Sequence, residues 1–350
     1  MLLGLSEALP SLVESKYSAA KASSSLVFSP TQVTTIRTLK GIPFQLRYCP
    51  SLAKKPVIES AKAEVPTKKS FDPFENPSEA LHIVDIPSTN PSHLLVLNKF
   101  PIIAEHFIIA TKLNKKQTQL LEKDDLEATY ACLKAWQDIS VAGSKQRRLF
   151  AFFNSGKHSG ASQPHRHLQF LPFERMHDGE ATRGWGLLVD LINQHGQRSG
   201  SNTKLIQHPD LPFTHFACVF DSEPSSADLL SNYTELYIAA KTATEKWITA
   251  HPAELSLHDI GDGDLPISYN LAITTSGMAI LPRRSEGTTL RRDDGSDIGF
   301  VALNGTTLGG TMMVKHKEEW DVLREKPGML DYILSAIGIP KEPVAAKSHV

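Results

Sequence analysis

The chain has 350 residues, of which 41% are hydrophobic and 21% charged, so one large or two fused folded domains are expected. This apolar content suffices for a core and excludes a wholly disordered or fibrous chain. Because 37 basic and 38 acidic residues leave a formal net charge of −1, a protein that coats nucleic acid is not expected either.

The cysteines and the apolar runs bound the class of protein further. Cys49, Cys132 and Cys218 lie far apart without a CxxC pair, which argues against a disulfide framework and a cysteine-based zinc site. No apolar run approaches the ~18 residues of a membrane-spanning helix, and the N-terminus lacks a basic leader. We expect a soluble protein of the cytoplasm, with the nucleus as a second compartment, and no membrane partner. The oligomeric state leaves no trace in the sequence.

The first half of the chain predicts a helix, then a group of strands, a helix and two more strands. Pro, Lys and Ser are frequent at 50–80, which predicts a long surface connection. In chain order the predicted elements are a helix over 3–21 interrupted by Pro10, strands at 42–48, 81–86, 93–100 and 102–111, a helix within 116–140 that begins near Asp124 or Asp125, and strands at 147–154 and 165–173.

The second half is richer in helices. Its predicted elements are a helix at 184–195, a strand at 215–220, a helix at 226–247, two antiparallel strands within 267–284, a last core segment at 300–315, and helices near 318–323 and 328–338. Helices lie between groups of strands without a regular βα repeat, so an α+β fold is favoured over a doubly wound sheet. We divide the chain into a lead-in at 1–40, a half at 41–200, a second half at 201–340 packed on the same core, and a tail at 341–350.

The most informative segment runs from Asn154 to Gln169, with the sequence NSGKHSGASQPHRHLQ. His165, His167 and Gln169 are spaced by two, so on a strand their side chains leave the same face, with Arg166 on the other. Two imidazoles and an amide are costly to bury without a purpose, yet an exposed face carries them easily. A bare HxH pattern alone is therefore more often incidental than catalytic.

The loop before the histidines changes this assessment. Its glycines and small side chains allow backbone N–H groups to converge on an anion, and Lys157 adds a positive charge. The order of residues is not that of a P-loop, and the loop alone is equally typical of a flexible hairpin. Together, loop and histidines predict a phosphate cradle beside a row of imidazoles.

The residue types in the row favour one kind of chemistry. Neutral imidazole is a good nucleophile at phosphorus and is largely unprotonated near pH 7. Gln169 does not titrate, so it can bind phosphate oxygens but cannot act as an acid or base. A polyphosphate leaving group and an anionic acceptor such as inorganic phosphate suit this site, whereas water would be a poorer acceptor.

The segment SGASQPHRHLQ resembles the H-x-H-x-Q motif in the transferase branch of the histidine-triad (HIT) superfamily. Together with LNKFP at 97–101, PSLAKKP at 50–56 and SYN at 268–270, it is similar to the fungal diadenosine tetraphosphate phosphorylases, also called ATP adenylyltransferases. The resemblance extends over about 40–340. It implies a HIT-like, mainly antiparallel sheet with flanking helices, and cleavage of the dinucleotide by phosphate into ATP and ADP.

The resemblance also implies roles for individual residues. His167, in the middle of the motif, would attack the α-phosphorus and form an adenylyl-histidine, with His165 as its support and Gln169 on the phosphate oxygens. The residues that would bind the substrate are Asn154, Ser159, Gly160, Ala161 and Ser162 for the polyphosphate, with Lys54, Asn98 and Lys99 as nucleotide contacts. Asn270 and Lys315 are further candidate substrate contacts, although an edge position or solvent explains each of them as well.

Three alternatives remain open. A uridylyltransferase of the same superfamily branch would use the same nucleophile, and a dinucleoside polyphosphate hydrolase would dispense with phosphate, although Gln169 in place of a third histidine weighs against hydrolysis. From another class, a metal-binding module would use His165 and His167 as ligands, with Glu174 and His177 nearby in sequence. We expect no protein-bound metal and no tightly bound cofactor, and magnesium only together with the substrate's phosphates.

Overall fold

The computed structural model describes residues 3–54, 71–137, 147–198 and 204–341, without the side chain of Lys54. Its helices are α1 (Leu9–Ala22), α2 (Lys123–Trp136), α3 (Phe173–Met176), α4 (Leu188–His195), α5 (Ser226–Ala250), α6 (Lys317–Glu325) and α7 (Gly328–Ile337). Its strands are β1 (Gln32–Arg37), β2 (Pro43–Tyr48), β3 (His82–Ile86), β4 (His93–Leu97), β5 (Phe107–Thr111), β6 (Leu149–Ser155), β7 (His167–Pro172), β8 (Gln197–Arg198), β9 (Ile206–Gln207), β10 (Phe216–Val219), β11 (Ser268–Thr274), β12 (Gly277–Arg283), β13 (Gly287–Arg291), β14 (Asp297–Ala302) and β15 (Thr311–Val314). Short 3-10 helices lie at Pro50–Lys54, Gly179–Thr182, Gly261–Gly263 and Gly305–Gly309.

Ten strands form one sheet, in the order β3-β4-β5-β7-β6-β11-β12-β10-β9-β8, and its pairings are antiparallel. At its centre β6, from the first half of the chain, pairs with β11 from the second. A smaller sheet places β15 parallel to β2, and β13 and β14 form a separate hairpin. The large antiparallel sheet with flanking helices confirms the expected α+β class.

Each face of the large sheet is covered by its own apolar core. On one face, α1, α2 and α5 pack through a cluster that includes Phe107, Trp136 and Tyr233. On the other face, the small sheet with α4, α6 and α7 packs through a second cluster around Phe152 and Leu281. A third cluster lies on this second face and combines Phe74, which precedes β3, with Leu94 and Val96 of β4 and Ile108 and Ala110 of β5. Polar side chains that lie on the second face between these two apolar clusters are therefore flanked by apolar packing on both sides.

Helix starts follow the local capping chemistry. The expected start of a helix near Asp124 or Asp125 is confirmed, because Glu122 and Asp125 form a reciprocal capping box at the first turn of α2. Pro10, predicted as an interruption, instead lies in the first turn of α1, where a missing N–H costs no intrahelical bond. The predicted N-terminal helix is thus present but begins at Leu9.

Several strand boundaries differ from those predicted. The strand expected at 102–111 begins only at Phe107, since Glu105 adopts a φ of 59° that ends extended structure before it. The strand that carries the H-x-H-x-Q motif, β7, begins only at His167. His165 precedes it and pairs with Lys116 in an isolated antiparallel β-bridge. β1 was not predicted, because its Thr-rich sequence is half-buried and lacks a clear alternation. These shifts leave the order of the predicted elements unchanged.

The two halves share the ten-stranded sheet, so the predicted boundary near 200 does not separate two sheets. Residues before and after position 200 contribute to both large apolar clusters. Within the described ranges, none of the helices has the length and apolar content needed to cross a membrane.

Candidate active site

The motif side chains lie on β7, in the middle of the ten-stranded sheet. His167 is opposite Ala110 of β5, and Gln169 is opposite Phe152 of β6. Since side chains alternate along a strand, His167 and Gln169 share one face, while Leu168 belongs to the core on the other face. The alternation predicted from the spacing of the motif is confirmed.

Arg166 anchors the back of the motif to helix α2. Its guanidinium donates to Asp125 at 2.9 Å and to Glu122 at 2.8 Å. Asp125 is buried and lies 2.9 Å from His93 Nε2, while the Arg166 side chain is only 1% exposed. This buried network holds the strand that carries the functional side chains on its opposite face.

The hydrogen bonds of His167 determine which of its ring nitrogens carries the proton. Nδ1 lies 2.8 Å from the backbone oxygen of His165, which only accepts, so Nδ1 bears hydrogen. The lone pair is then on Nε2, which has no hydrogen-bond partner in the described part of the chain. Burial lowers the pKa of His167 to about 4, so the ring is uncharged near pH 7. The result is a neutral imidazole with a free nucleophilic nitrogen.

Gln117 fixes the backbone around His167. Its Oε1 accepts a hydrogen bond from the His167 N–H at 2.7 Å. Its Nε2 donates to the backbone oxygens of Asn154, at 2.8 Å, and of His167, at 3.1 Å. One buried amide thus bridges β6 and β7 where the two strands separate toward the Gly/Ser loop.

His165 has both ring nitrogens in use. Its Nδ1 lies 2.7 Å from Asp72 Oδ2, and its Nε2 lies 2.7 Å from the backbone oxygen of Thr111. The hydroxyl Oγ1 of Thr111 also lies 3.1 Å from Nε2, so each ring nitrogen of His165 has a hydrogen-bond partner. With a hydrogen-bond partner at each ring nitrogen, His165 supports the carbonyl that orients His167.

The amide of Gln169 is oriented by His106. His106 Nε2 lies 3.0 Å from Gln169 Oε1 and, since an amide oxygen accepts, the ring nitrogen donates. The NH2 group of Gln169 is therefore the end left for a ligand, on the same sheet face as His167. An anion bound there would meet hydrogen-bond donors.

A segment that precedes β3 covers the two histidines. The ring centroid of Phe74 lies 5.1 Å from that of His167 and 5.5 Å from that of His165. Asp72 accepts from the Phe74 N–H at 2.9 Å while it binds His165, so one carboxylate ties the turn to the site. The surface connection predicted for 50–80 is thus wrong at Phe74, which is only 4% exposed.

The Gly/Ser loop between β6 and β7 depends on two glycines with positive φ. At Gly156, with φ of 84°, a Cβ would lie 2.4 Å from Ser268 Oγ; at Gly160, with φ of 75°, it would lie 2.8 Å from Asn304 Cβ. The hydroxyl of Ser159 is buried and donates to the backbone oxygen of Gly156 at 2.6 Å. Ser159 therefore holds the loop through its side chain.

Asn154 presents an amide much as Gln169 does. Its Oδ1 accepts from Asn270 Nδ2 at 2.9 Å and from the Gly305 N–H at 2.8 Å. Its Nδ2 has no hydrogen-bond partner among the described residues. Phe152 is opposite Gln169 and shares its sheet face. Asn154 follows Phe152 by two residues on β6, so its side chain lies on this face as well. The predicted residues Asn154 and Asn270 are therefore in direct contact beside His167.

Asn98 and Lys99 lie in the connection between β4 and β5. The Asn98 N–H donates to the backbone oxygen of His106 at 2.9 Å, and Asn98 Oδ1 accepts from the Phe100 N–H at 2.8 Å. Lys99 is exposed. Asn98 is thus connected to the site through His106, the residue that orients Gln169.

The remaining predicted contacts are more scattered. Ala161 and Ser162 are exposed on the Gly/Ser loop, so their backbone is open to a ligand. Lys315 follows β15, and its N–H donates to Glu319 at 3.0 Å; no contact joins it to the motif within the described chain. The side chain of Lys54 lies outside the described residues.

Four residues of the site were missed by the sequence analysis: Asp72, Phe74, His106 and Gln117. His106 was the most visible, as an ionisable residue directly before the apolar run of β5. Asp72 lies 93 positions before His165, and nothing local to Phe-Asp-Pro-Phe connects the two. Gln117 carries no sequence signal that distinguishes it from a solvent-exposed glutamine.

The metal-binding alternative does not fit the arrangement. Over the described ranges, no group of three or more His, Cys, Asp or Glu side chains is placed to hold a metal ion. Glu174 accepts from Trp136 Nε1 at 2.9 Å, and His177 packs edge-on against Phe173. Both residues are thus engaged elsewhere, and His165 has no free nitrogen.

Comparisons with known proteins extend over nearly the whole chain. The family model described as Ap4A phosphorylase N-terminal domain matches residues 3–183, and that described as ATP adenylyltransferase C-terminal domain matches 209–340. Protein APA1 of Saccharomyces cerevisiae is 28% identical over 342 residues, which cover 95% of this chain and 94% of that protein. Diadenosine 5',5'''-P1,P4-tetraphosphate phosphorylase 2 of the same yeast is 26% identical over 347 residues, covering 96% of each.

Solved structures show the same fold. The crystal structure of yeast Ap4A phosphorylase Apa2 matches with a TM-score of 0.74 and 23% identity, over 97% of each chain. Its complex with Ap4A matches with a TM-score of 0.73 and 23% identity, over 98% of this chain and 100% of that chain. The likeness therefore includes both halves of the large sheet.

Proposed function

The chain belongs to the Ap4A phosphorylase family, and from this premise we propose that it is a nucleotidyltransferase that cleaves diadenosine tetraphosphate with inorganic phosphate into ATP and ADP. The observation that carries the proposal is the free Nε2 of a neutral His167 on a surface that offers two amide NH2 groups. Such a surface suits an electrophile surrounded by anionic oxygens.

In the first step, Nε2 of His167 attacks an α-phosphorus of the dinucleotide. The N–P bond forms while the bond from that phosphorus to the bridging oxygen breaks, so ATP leaves and AMP stays on the histidine. The positive charge that develops on the ring is stabilised by the hydrogen bond from Nδ1 to the His165 carbonyl. In the second step, inorganic phosphate attacks the same phosphorus, the N–P bond breaks, and ADP is released.

The amides of Gln169 and Asn154 would bind the phosphate oxygens during both steps. Both have their oxygen atoms engaged by the protein, so their NH2 groups are directed to the ligand. Neither amide exchanges protons, which suits a leaving group and an acceptor that need no general acid or base. Water would need such a base, and this favours phosphorolysis over hydrolysis.

The remaining substrate contacts form part of the proposal. The exposed backbone at Ala161 and Ser162 would bind the polyphosphate, next to Gly160. Lys54, Asn98, Lys99 and Lys315 stay predictions for the nucleotide and its phosphates. Magnesium would enter with the substrate, because this ion commonly bridges phosphate oxygens and keeps several waters. A cytoplasmic location likewise stays a prediction.

The experiment that tests the mechanism removes the nucleophile. After incubation with labelled diadenosine tetraphosphate, His167→Ala should form no acid-labile adenylyl-protein and lose at least roughly a thousandfold in kcat. His167→Gly should regain turnover with free imidazole, whereas His251→Ala, at a histidine stacked on Trp247, should behave as the wild type. A normal yield of adenylyl-protein from His167→Ala would end the proposed mechanism.

Two changes to the assay mixture test the alternative activities. Without phosphate, each enzyme molecule should release one ATP and then stop as adenylyl-enzyme, because water does not replace phosphate; continued turnover would identify a hydrolase. UDP-glucose offered in place of the dinucleotide should give no labelled protein. Labelling by UDP-glucose in preference to the dinucleotide would identify a uridylyltransferase.

A further inference from the structure

We propose that Arg283 is a positioning residue for this reaction, because its guanidinium sets the direction of the hydrogen bonds through Asn270 to Asn154 and places a positive charge behind the phosphate site. The inference rests on the proposed function only in that this function supplies an anionic substrate. Arg283 lies at the end of β12, well outside the H-x-H-x-Q motif.

Arg283 is a buried cation with an unusual set of partners. It is 1% exposed, and its Nη2 donates to the backbone oxygens of Ser285 at 2.9 Å, Glu286 at 3.0 Å and Leu303 at 2.9 Å. Its Nη1 donates to Asn270 Oδ1. Within the described residues, no carboxylate forms an ion pair with it. Its direct partners are neutral dipoles, while the exposed Glu286 carboxylate acts on the charge from beyond ion-pair distance and raises the pKa of Arg283.

A buried charge without a carboxylate in direct contact is costly, and a nearby anion would relieve that cost. Burial lowers the pKa of Arg283 to about 9, so the guanidinium remains charged at neutral pH. In a low-dielectric interior, such a charge acts over a longer distance than a surface lysine would. The polyphosphate of the substrate is the anion that the proposed reaction brings to this region.

The direction of each hydrogen bond follows from the one before it. A guanidinium only donates, so Asn270 Oδ1 must accept, and its Nδ2 is left to donate. Nδ2 of Asn270 donates to Asn154 Oδ1 and to the backbone oxygen of Ser159, both at 2.9 Å. The Gly305 N–H occupies the same Asn154 oxygen. Asn154 can therefore present only its NH2 group to a ligand.

The relay crosses adjacent strands of one sheet. Arg283 is opposite Ser268, two residues from Asn270 on β11, and Asn270 is opposite Asn154 on β6. Because residues two apart on a strand share a face, all three side chains lie on the face that carries His167. The bond from Asn270 to Ser159 extends the same control to the Gly/Ser loop.

Two variants interrupt the relay in different ways. Asn270→Asp keeps the size of the side chain but offers oxygens only. The carboxylate pairs with Arg283, cancels its charge and leaves Asn154 Oδ1 with the Gly305 N–H as its one remaining donor among the described residues. Arg283→Gln removes the charge and keeps a donor. The matched control is Arg284→Gln, since the neighbouring arginine donates to Glu254 and to carbonyls of α7 instead.

The readout is binding of inorganic tripolyphosphate by calorimetry and of adenosine by NMR titration to the full chain. We expect Asn270→Asp and Arg283→Gln to weaken tripolyphosphate binding at least tenfold and to change adenosine binding less than twofold. Arg284→Gln should match the wild type for both ligands. A merely structural defect would instead weaken both ligands together.

Several results would overturn the proposal. One is a folded Asn270→Asp variant that binds tripolyphosphate within twofold of the wild type. Another is a loss of tripolyphosphate affinity in Arg284→Gln equal to that in the two relay variants. If Arg283→Gln does not fold, Asn270→Asp decides alone, and loss of the native circular dichroism spectrum in both would make Arg283 a structural anchor. Failure of the wild type to cleave diadenosine tetraphosphate with phosphate would refute the proposed function, yet leave this binding comparison intact.

Discussion

Three side chains of the site share one principle: the protein binds one end of each and leaves the other end for the ligand. His167 is bound through Nδ1, Gln169 through Oε1 and Asn154 through Oδ1. In each case the partner dictates which atom remains, since carbonyls accept and N–H groups donate. The chemistry of the site thus depends as much on residues that never meet the substrate, such as His106, as on the motif.

The lowered pKa of His167 predicts the acid limb of the activity profile. Only the neutral ring attacks, so activity falls as the pH drops through the pKa of about 4, and not through the usual 6.5. We expect kcat/KM for diadenosine tetraphosphate to stay constant from about pH 8 to 5 and to fall below that, when measured with rapid quenching. If kcat/KM fell to half of its maximum near pH 6.5, the His167 ring would titrate as an exposed histidine does, which would contradict its burial in the neutral form.

At the scale of elements, the Gly/Ser loop is held by parts of the chain that lie far away in sequence. Ser268 of β11 binds the His158 N–H at 3.0 Å, and Asn270 binds the Ser159 carbonyl. The 3-10 helix Gly305–Gly309 binds β6 through Asn154, and its N-cap Asn304 packs against Gly160. The loop is therefore shaped by close packing as well as by its own glycines.

Gly160→Ala tests this packing. The added methyl group would lie 2.9 Å from the Leu303 oxygen at a φ of 75°, so we expect a loss of stability of roughly 2–4 kcal/mol and a lower kcat. The matched control is Gly41, which has a φ of 85° and nothing within 4 Å of an added Cβ. Gly41→Ala should lose only about 1–2 kcal/mol of stability, which is what a left-handed backbone costs a residue with a Cβ, and it should keep full activity. Urea denaturation and steady-state assays measure both; equal losses in stability would show that the loop is not tightly packed.

At the scale of the whole molecule, the central pairing of β6 with β11 makes the two halves interdependent. Five residue pairs from Ala151 to Ser155 join strands of different halves, and β15 completes the small sheet beside β2. Residues of both family models therefore contribute to each main core. Separation of the halves would expose unpaired strand edges and large apolar faces.

This interdependence predicts how the chain unfolds. The full chain should show one cooperative transition in guanidinium when followed by circular dichroism and by tryptophan fluorescence. Fragments 1–200 and 201–350, expressed alone, should lack dispersed NMR spectra and cooperative unfolding, whereas their co-expression should restore part of the activity. Two separate transitions in the full chain, or a folded fragment, would mean that each half carries a complete core.

Local patterns in the sequence sufficed for the order of most elements, the α+β class, and the shared face of His167 and Gln169, because strand and helix periods are properties of adjacent residues. The strands β1, β8, β9 and β13 were not predicted. Resemblance of the motif segments added the family. The tertiary structure decided which atoms of these side chains are free: Asp72 reaches His165 across 93 positions, and Asn270 reaches Asn154 across 116. Such contacts arise from strand pairing and chain closure over long separations, and no local periodicity records them.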